Sequence, residues 1–166
     1  MRALEQPPLW VADASGRDLF SVTEYALDAA WGSGEQDLSV SFDRDAAGRP
    51  RVLSGGELVY VDGTEIGGVV DCLVSDTGAG TLTYSGRTWH GVLSRKVVMP
   101  PASGGNVVLR GDANAVLRDI LARCSLDGFM DVRAGAAGIQ VPAYRVDRFA
   151  DAYEAAKGAL ASAGAR

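Results

Sequence analysis

The stretch Tyr84-Ser-Gly-Arg-Thr-Trp-His-Gly-Val-Leu-Ser-Arg-Lys-Val-Val-Met-Pro-Pro101 carries the most distinctive signals in the chain. It starts in a strand pattern that ends at Gly86-Arg87. A short amphipathic segment follows, in which Trp89, Val92 and Leu93 have the i, i+3, i+4 spacing of a helix face. Two basic residues, an apolar triplet and a double proline complete it. The stretch predicts a strand that leads into a short helix.

The residues before this stretch are predicted to form an antiparallel β-barrel or sandwich. Apolar and polar residues alternate in short runs that are mostly joined by compact turns. Asp62-Gly63, between two apolar runs, is a strong hairpin signal, and Gly67-Gly68 predicts a bulge or a sharp bend. The predicted strands cover residues 9–12, 19–22, 25–31, 38–42, 57–61, 66–74 and 81–85. In 25–31 the alanines leave a helix as the alternative.

The last third of the chain has a different pattern. After a Pro- and Gly-rich connector at 100–105, the apolar spacing predicts a helix over 112–124 with Asp112 as its N-cap. Short strands are predicted at 129–133 and 139–141. Asp147 is predicted to cap a final helix, whose buried stripe would hold Phe149, Tyr153, Ala156 and Leu160. The fold class is therefore mainly β with helical additions, or α+β, with two helices.

We expect one domain, or at most one domain with an appendage. A β-rich domain would cover 1–146, with a barrel core at 8–99 and the helix at 112–124 packed on it. A C-terminal helix and a frayed tail would cover 147–166.

Composition restricts the function. The 166 residues carry 16 Lys and Arg against 21 Asp and Glu, a net charge of −5, whereas a non-specific nucleic-acid binder needs a cationic face. No apolar run is long enough to span a membrane, and the first residues have no signal-peptide pattern. We therefore expect a protein made in a cytoplasm, in which Cys72 and Cys124 are buried free thiols.

The sequence predicts no catalytic, cofactor-binding or metal-binding residue. His90 is the only histidine, so a Ser-His-Asp or Cys-His enzyme would have to use it, yet no nucleophile motif accompanies it. One histidine and two distant cysteines cannot build a zinc site. The sequence Asp43-Arg-Asp45 lacks the further ligands of a calcium loop. His90 fits a surface or interface position better.

Arg87, Arg95 and Lys96 form a basic cluster in an acidic chain. They fit either a contact with acidic partner subunits or a solvated strand end that is protected against pairing. Trp89 fits either packing of the short helix onto the sheet or an interface anchor, because Trp and Arg are enriched at binding hot spots. With His90, these residues are our candidate interface.

Several stretches, in the same order, resemble the hub proteins at the tail tips of long-tailed phages or prophages, specifically the N-terminal part of those proteins. They cover roughly residues 20–125 and have degenerate motifs. The stretches are 25–31 with 38–42, 65–71 with 84–93, 96–101, and 111–121.

The resemblance implies a tail-tube-like β-barrel that assembles into a ring, either a trimer or a hexamer. Such a ring joins the tail tube to the spike or fibres. The implied partners are further copies and other tail proteins, such as tube, distal tail, spike or fibre proteins. No membrane and no sequence-specific nucleic acid are expected. The implied location is the virion tail, after synthesis in the bacterial host cytoplasm.

The residues leave two other functions open. One is a cell-wall-binding or lytic module of a tail-associated protein. The other is an unrelated soluble β-rich binding domain with a concave apolar pocket.

Overall fold

A computed structural model describes residues 6–30, 37–43, 52–75 and 81–165. The chain forms two compact units, Met1–Val92 and Leu93–Arg166. The predicted boundary at residue 147, between the β-rich domain and the C-terminal helix, stays a prediction. The packing of the helix at 112–124 onto the barrel also stays a prediction. Within the described ranges, no helix is long and apolar enough to cross a bilayer.

The first unit contains one antiparallel sheet of seven strands. Neighbouring strands follow the order β2-β1-β5-β6-β7-β4-β3. Each predicted strand of this region is present, except that Trp31 of the predicted strand 25–31 lies outside the described residues. This confirms the mainly β class. The strands are β1 (Leu9–Ala12), β2 (Asp18–Val22), β3 (Tyr25–Ala29), β4 (Asp37–Asp43), β5 (Leu58–Val61), β6 (Gly67–Ser75) and β7 (Thr81–Thr88).

The sheet curls into a half-barrel. β2 and β3 lie at opposite ends of the strand order, yet only residues 23–24 join them, so the strand ends lie at most about 11 Å apart. The Phe20 ring on β2 contacts the Phe42 ring on β4 edge-to-face, with centroids 6.3 Å apart. The Tyr25 hydroxyl donates a hydrogen bond to the carbonyl oxygen of Pro7 (2.8 Å). The two edges of the sheet therefore converge.

The concave face of the sheet holds the core of this unit. Alternate residues of β4 are buried, as the predicted period of two requires. Tyr84 is fully buried, and its hydroxyl accepts a hydrogen bond from the backbone N–H of Leu53 (3.4 Å). The core consists of Leu9, Val11, Val22, Leu38, Val40, Phe42, Leu53, Val59, Val61, Val70 and Tyr84.

The expected bulge at Gly67-Gly68 is found farther along β6. Val70 pairs with Gly86 and Cys72 pairs with Ser85, so Asp71 is the extra residue. Gly67 and Gly68 instead allow close packing. A Cβ on Gly68 would collide with the carbonyl group of Arg87, because the two backbones approach too closely for any side chain.

The second unit combines a two-stranded antiparallel ladder with two long helices. A short helix, α1 (Trp89–Ser94), contains the boundary between the units and confirms the predicted helix after the strand. It is one of three helices among the described residues, one more than the fold-class prediction. The other elements are β8 (Val108–Asp112), α2 (Ala113–Arg123), β9 (Gln140–Arg145) and α3 (Ala152–Ser162).

The helix predicted at 112–124 is confirmed as α2. Asp112 is its N-cap and accepts a hydrogen bond from the backbone N–H of Asn114 (3.0 Å). At its end, Ser125 takes a left-handed conformation with φ of 55°, and the N–H of Leu126 donates to the carbonyl of Leu121 (2.9 Å). This is a Schellman end with serine at the position that glycine usually occupies.

Two predictions for this unit are wrong. Residues 129–133 form no strand, because the N–H groups of Phe129 and Met130 both bind the carbonyl of Leu126 in a turn. Asp147 does not cap the last helix. Its carbonyl accepts the N–H of Ala150 in a turn, and α3 starts one turn later with Asp151 as its N-cap.

The buried stripe of α3 also differs from the prediction. It consists of Ala152, Ala155 and Ala159, while Phe149 lies before the helix and is 75% exposed. The predicted frayed tail begins inside α3. Beyond Ser162 the chain is tied back, because the N–H of Ala165 donates to the carbonyl of Leu160 (3.1 Å).

Candidate interface surfaces

Arg87, the first candidate interface residue, is tied to its neighbouring strand. Its Nε and Nη2 atoms donate to the two carboxylate oxygens of Asp71, each at 2.6 Å. The bulge places Asp71 opposite this guanidinium. The paired carboxylate raises the pKa of Arg87 above its usual value. The Arg87 charge is therefore largely neutralised within the sheet, and the sequence did not reveal Asp71 as its partner.

Trp89 packs against the same strand. Its indole lies over Gly67, where a Cβ would come within 2.8 Å of the indole nitrogen and 2.6 Å of the Val59 carbonyl oxygen. Trp89 stands in the first turn of α1, which Thr88 caps by accepting the N–H of Gly91 (3.2 Å). His90, the next residue, is half-buried on the same helix. This packing fits a structural role for Trp89, and the interface role of the set stays a prediction.

Arg95 and Lys96 lie in the second unit and are both exposed. The backbone of Lys96 is nevertheless fixed, because its carbonyl accepts the N–H of Ala152 (2.7 Å) at the start of α3. Val97 forms a bridge with Asp151 beside it. The basic cluster seen in the sequence is thus divided between two units, with Arg87 in the first.

Charge divides strongly between the units. Residues 1–92 contain 6 Lys and Arg against 14 Asp and Glu, a formal charge of −8. Residues 93–166 contain 10 Lys and Arg against 7 Asp and Glu, a charge of +3. The overall value of −5 conceals this asymmetry, so composition alone could not reveal a charged binding surface.

The acidic unit has an open acidic strand edge. β3 pairs only with β4 in the described sheet, which leaves its other side unpaired. Asp28 on β3 and Asp37 on β4 are exposed, and Glu24 is exposed just before β3. Beside them, Tyr25 and Leu27 are only partly covered by the core. The Tyr25 carbonyl accepts a hydrogen bond from the Gln6 side chain (3.1 Å). Beyond it, the edge combines partly exposed apolar side chains with acidic side chains.

The second unit contains a cleft of about 820 Å³. Its walls include buried apolar residues and two exposed cations, Arg145 at the end of β9 and Arg148 in the following loop. No ion pair engages either guanidinium within the described part of this unit. The lining residues are Val98, Pro100, Gly104, Gly105, Asn106, Val107, Arg145, Val146, Asp147, Arg148 and Phe149.

Large apolar side chains stand exposed in and beside this cleft. Phe149 is 75% exposed and Met99 60% exposed, and Val97 and Val108 are also exposed. Phe149 has a φ of 69°, a left-handed conformation that is uncommon for a residue other than glycine. The Arg148 guanidinium lies 5.2 Å from the centre of the Phe149 ring. An exposed aromatic on a strained backbone is an observation that points to binding.

Asp112 fixes a loop beside α2. Besides capping the helix, its carboxylate accepts the N–H groups of Ala137 and Gly138, each at 3.0 Å. These hydrogen bonds, led by the one from Ala137, lower the pKa of Asp112 below its ordinary value. The side chains of Asn114 and Arg118 donate to carbonyl groups of the same loop. The sequence revealed the cap and not the loop contact.

Among the described residues, no group of three or more His, Cys, Asp or Glu side chains could hold a metal ion. Both cysteines are free thiols. Cys124 is buried, and burial raises the pKa of its thiol. Cys72 is exposed and its Sγ lies 2.9 Å from Ser85 Oγ, so the prediction of two buried thiols is wrong for Cys72.

Comparison with known proteins finds a likeness of fold. No protein-family model matches the chain, and no curated protein matches it significantly. A solved structure, the tail protein from Neisseria meningitidis MC58, superposes with a TM-score of 0.56 at 14% sequence identity, over 96% of this chain and 46% of that protein. At this identity the likeness shows a shared fold. The chain spans a little under half of that protein's length.

Proposed function

We propose that this chain is a structural component of a phage or prophage tail tip and forms part of the hub ring that joins the tail tube to the spike or fibres. The observation that carries the proposal is the fold likeness to a tail protein over 96% of the chain. The order of stretches that resemble tail hub proteins supports it independently. In this role the protein acts by assembly, and we propose no catalytic activity.

The curled sheet supports a ring function. A half-barrel with converging edges can complete its hydrogen bonding by pairing with a neighbour, and heterologous contacts between copies close into a ring when the rotation allows. If two such barrels occur in one longer chain, three chains complete a sixfold ring. If this chain acts alone, six copies do so. The other partners would be the tube, distal tail, spike or fibre proteins of the virion tail.

Electron microscopy of the purified chain tests this proposal. Class averages should show rings with three- or sixfold symmetry and an open centre. A peptidoglycan-release assay on the same preparation supplies the contrast, because a lytic module would release soluble fragments without forming rings. If the chain forms no rings even at high concentration and also releases no peptidoglycan fragments, a β-rich binding domain would be favoured instead.

A further inference from the structure

We infer that the cleft of the second unit binds the acidic β3 edge of another copy of this chain. This inference rests on the proposed ring and names the two surfaces that would form its contact. One partner is the cleft with Arg145, Arg148 and Phe149. The other is the edge of the first unit with Glu24, Asp28 and Asp37. The contact is heterologous, so each copy would use one surface toward each neighbour.

Charge complementarity selects the occupant. The first unit carries −8 and the second +3, so a head-to-tail arrangement places opposite charges together at every contact. Among residues 93–165, which the structure describes, the two arginines that line the cleft have no ion-pair partner. Asp28 and Asp37 likewise take part in no hydrogen bond or ion pair through their carboxylates in the described residues. Both sets of charges are available for a partner.

Apolar surface is complementary as well. Phe149 lines the cleft and is 75% exposed, and Met99, between the lining residues Val98 and Pro100, is 60% exposed. The β3 edge presents Tyr25 and Leu27, which the core covers only in part. Burying such side chains against one another would stabilise the contact by about 25 cal/mol for each Å² of apolar surface removed from water. Charge would give the contact its direction, and apolar burial would give it affinity.

The other sheet edge is a poorer candidate. β2 also ends the sheet, but its acidic groups are already engaged. The carboxylate of Asp18 accepts a hydrogen bond from the Tyr60 hydroxyl at 2.6 Å. Asp13, in the turn before β2, forms an ion pair with Arg17 at 3.2 Å. Among the described residues, β3 is therefore the edge whose carboxylates have no side-chain partner.

Two complementary charge-reversal variants test the inference. The cleft variant, Arg145→Glu with Arg148→Glu, retains a native β3 edge. The edge variant, Asp28→Arg with Asp37→Arg, retains a native cleft. Each alone should be monomeric, whereas an equal mixture should assemble again, because a native cleft then meets a native edge and a Glu cleft meets an Arg edge. A chain carrying all four reversals should assemble again.

Matched controls separate specific contacts from net charge. Lys157→Glu on α3 and Glu65→Arg before β6 each reverse one exposed charge, with the same sign of change as the test variant in that unit, and should leave assembly unchanged. Phe149→Asn removes the aromatic ring and introduces a side chain that tolerates the left-handed backbone conformation at this position. It should remain folded by circular dichroism and lose at least tenfold in association.

The outcomes distinguish this inference from the proposed function. Rings from the wild type that persist in both reversal variants would overturn the inference and leave the hub proposal intact. A mixture of the two variants that stays monomeric would also overturn the inference. The cleft would then be expected to bind another protein of the virion tail. If the wild-type chain is monomeric and the mixture of variants is monomeric as well, both the inference and the ring proposal are contradicted.

Discussion

At the scale of single residues, Gly67 determines how the first unit packs. The Trp89 indole occupies the space that a side chain at Gly67 would need, and the Val59 carbonyl closes it from the other side. Neither neighbour can move cheaply, since one is backbone and the other is a large ring. Trp89 therefore contributes to folding of this unit whether or not it also contacts a partner.

Gly67→Ala should destabilise the protein by about 1–3 kcal/mol, as overpacking of a close contact does. Thermal melting measures the loss. Gly128→Ala is the matched control, because Gly128 has a negative φ and open space around its Cα. Equal melting temperatures for the two variants would show that the Trp89 contact is loose.

Trp89→Ala should lower the free energy of unfolding by about 3 kcal/mol, the lower end for a Trp truncation, because the side chain is only half-buried. Denaturant unfolding measures this value. Unchanged stability together with loss of assembly would instead make Trp89 an interface anchor and contradict the packing role.

Asp112 gives the second unit a defined acid sensitivity. An unfolded Asp has a pKa of about 4. In the folded protein the pKa of Asp112 is lower than this. Its contribution to stability is therefore complete above about pH 4, and it is lost as pH falls through the lower folded value. Asp112→Asn should lower the melting temperature at neutral pH and flatten its decline below about pH 4, which thermal melting over a pH series measures.

At the scale of elements, the strands were predictable and the second unit was less so. Each strand of the sheet follows from period-two alternation between turns, as in β4, where Leu38, Val40 and Phe42 point inward. The bulge at Asp71 could not be placed, because it depends on how β6 meets β7 and not on local glycine content.

The last helix was misplaced for a physical reason. Asp147 and Asp151 are four residues apart, and each is a good N-cap. The true buried stripe is made of alanines, which give a weak hydrophobic signal. Phe149 was therefore assigned to the interior of a helix. The cleft could not be predicted either, because its lining residues, 98–107 and 145–149, come together only in the folded unit.

Asp151→Ala should cost about 1 kcal/mol, since it removes the carboxylate that accepts the N–H of Glu154 at 2.9 Å. Asp147→Ala should cost less than about 0.5 kcal/mol. Urea unfolding of both variants measures the difference. The reverse order would restore the cap predicted from the sequence.

At the scale of the whole molecule, charge is the main organising feature. An acidic β unit and a basic second unit in one chain favour head-to-tail contacts between copies over head-to-head contacts. The edges of the sheet remain open for such contacts. A monomer with these features would carry an unpaired strand edge and an exposed aromatic without using either.

Assembly should weaken with salt. At about 0.5 M sodium chloride, charges that face each other across a solvated contact are strongly screened. Sedimentation velocity at low and high salt should therefore show a shift toward smaller species. An assembly that strengthens with salt would indicate a contact dominated by apolar burial, and would contradict the role given to Arg145 and Arg148.

The most direct test of the account is the solution mass of the purified chain, measured by light scattering over a concentration series. The account predicts a discrete trimer or hexamer of the 17.3 kDa chain that persists on dilution. A strict monomer at every concentration would contradict a self-assembling hub ring.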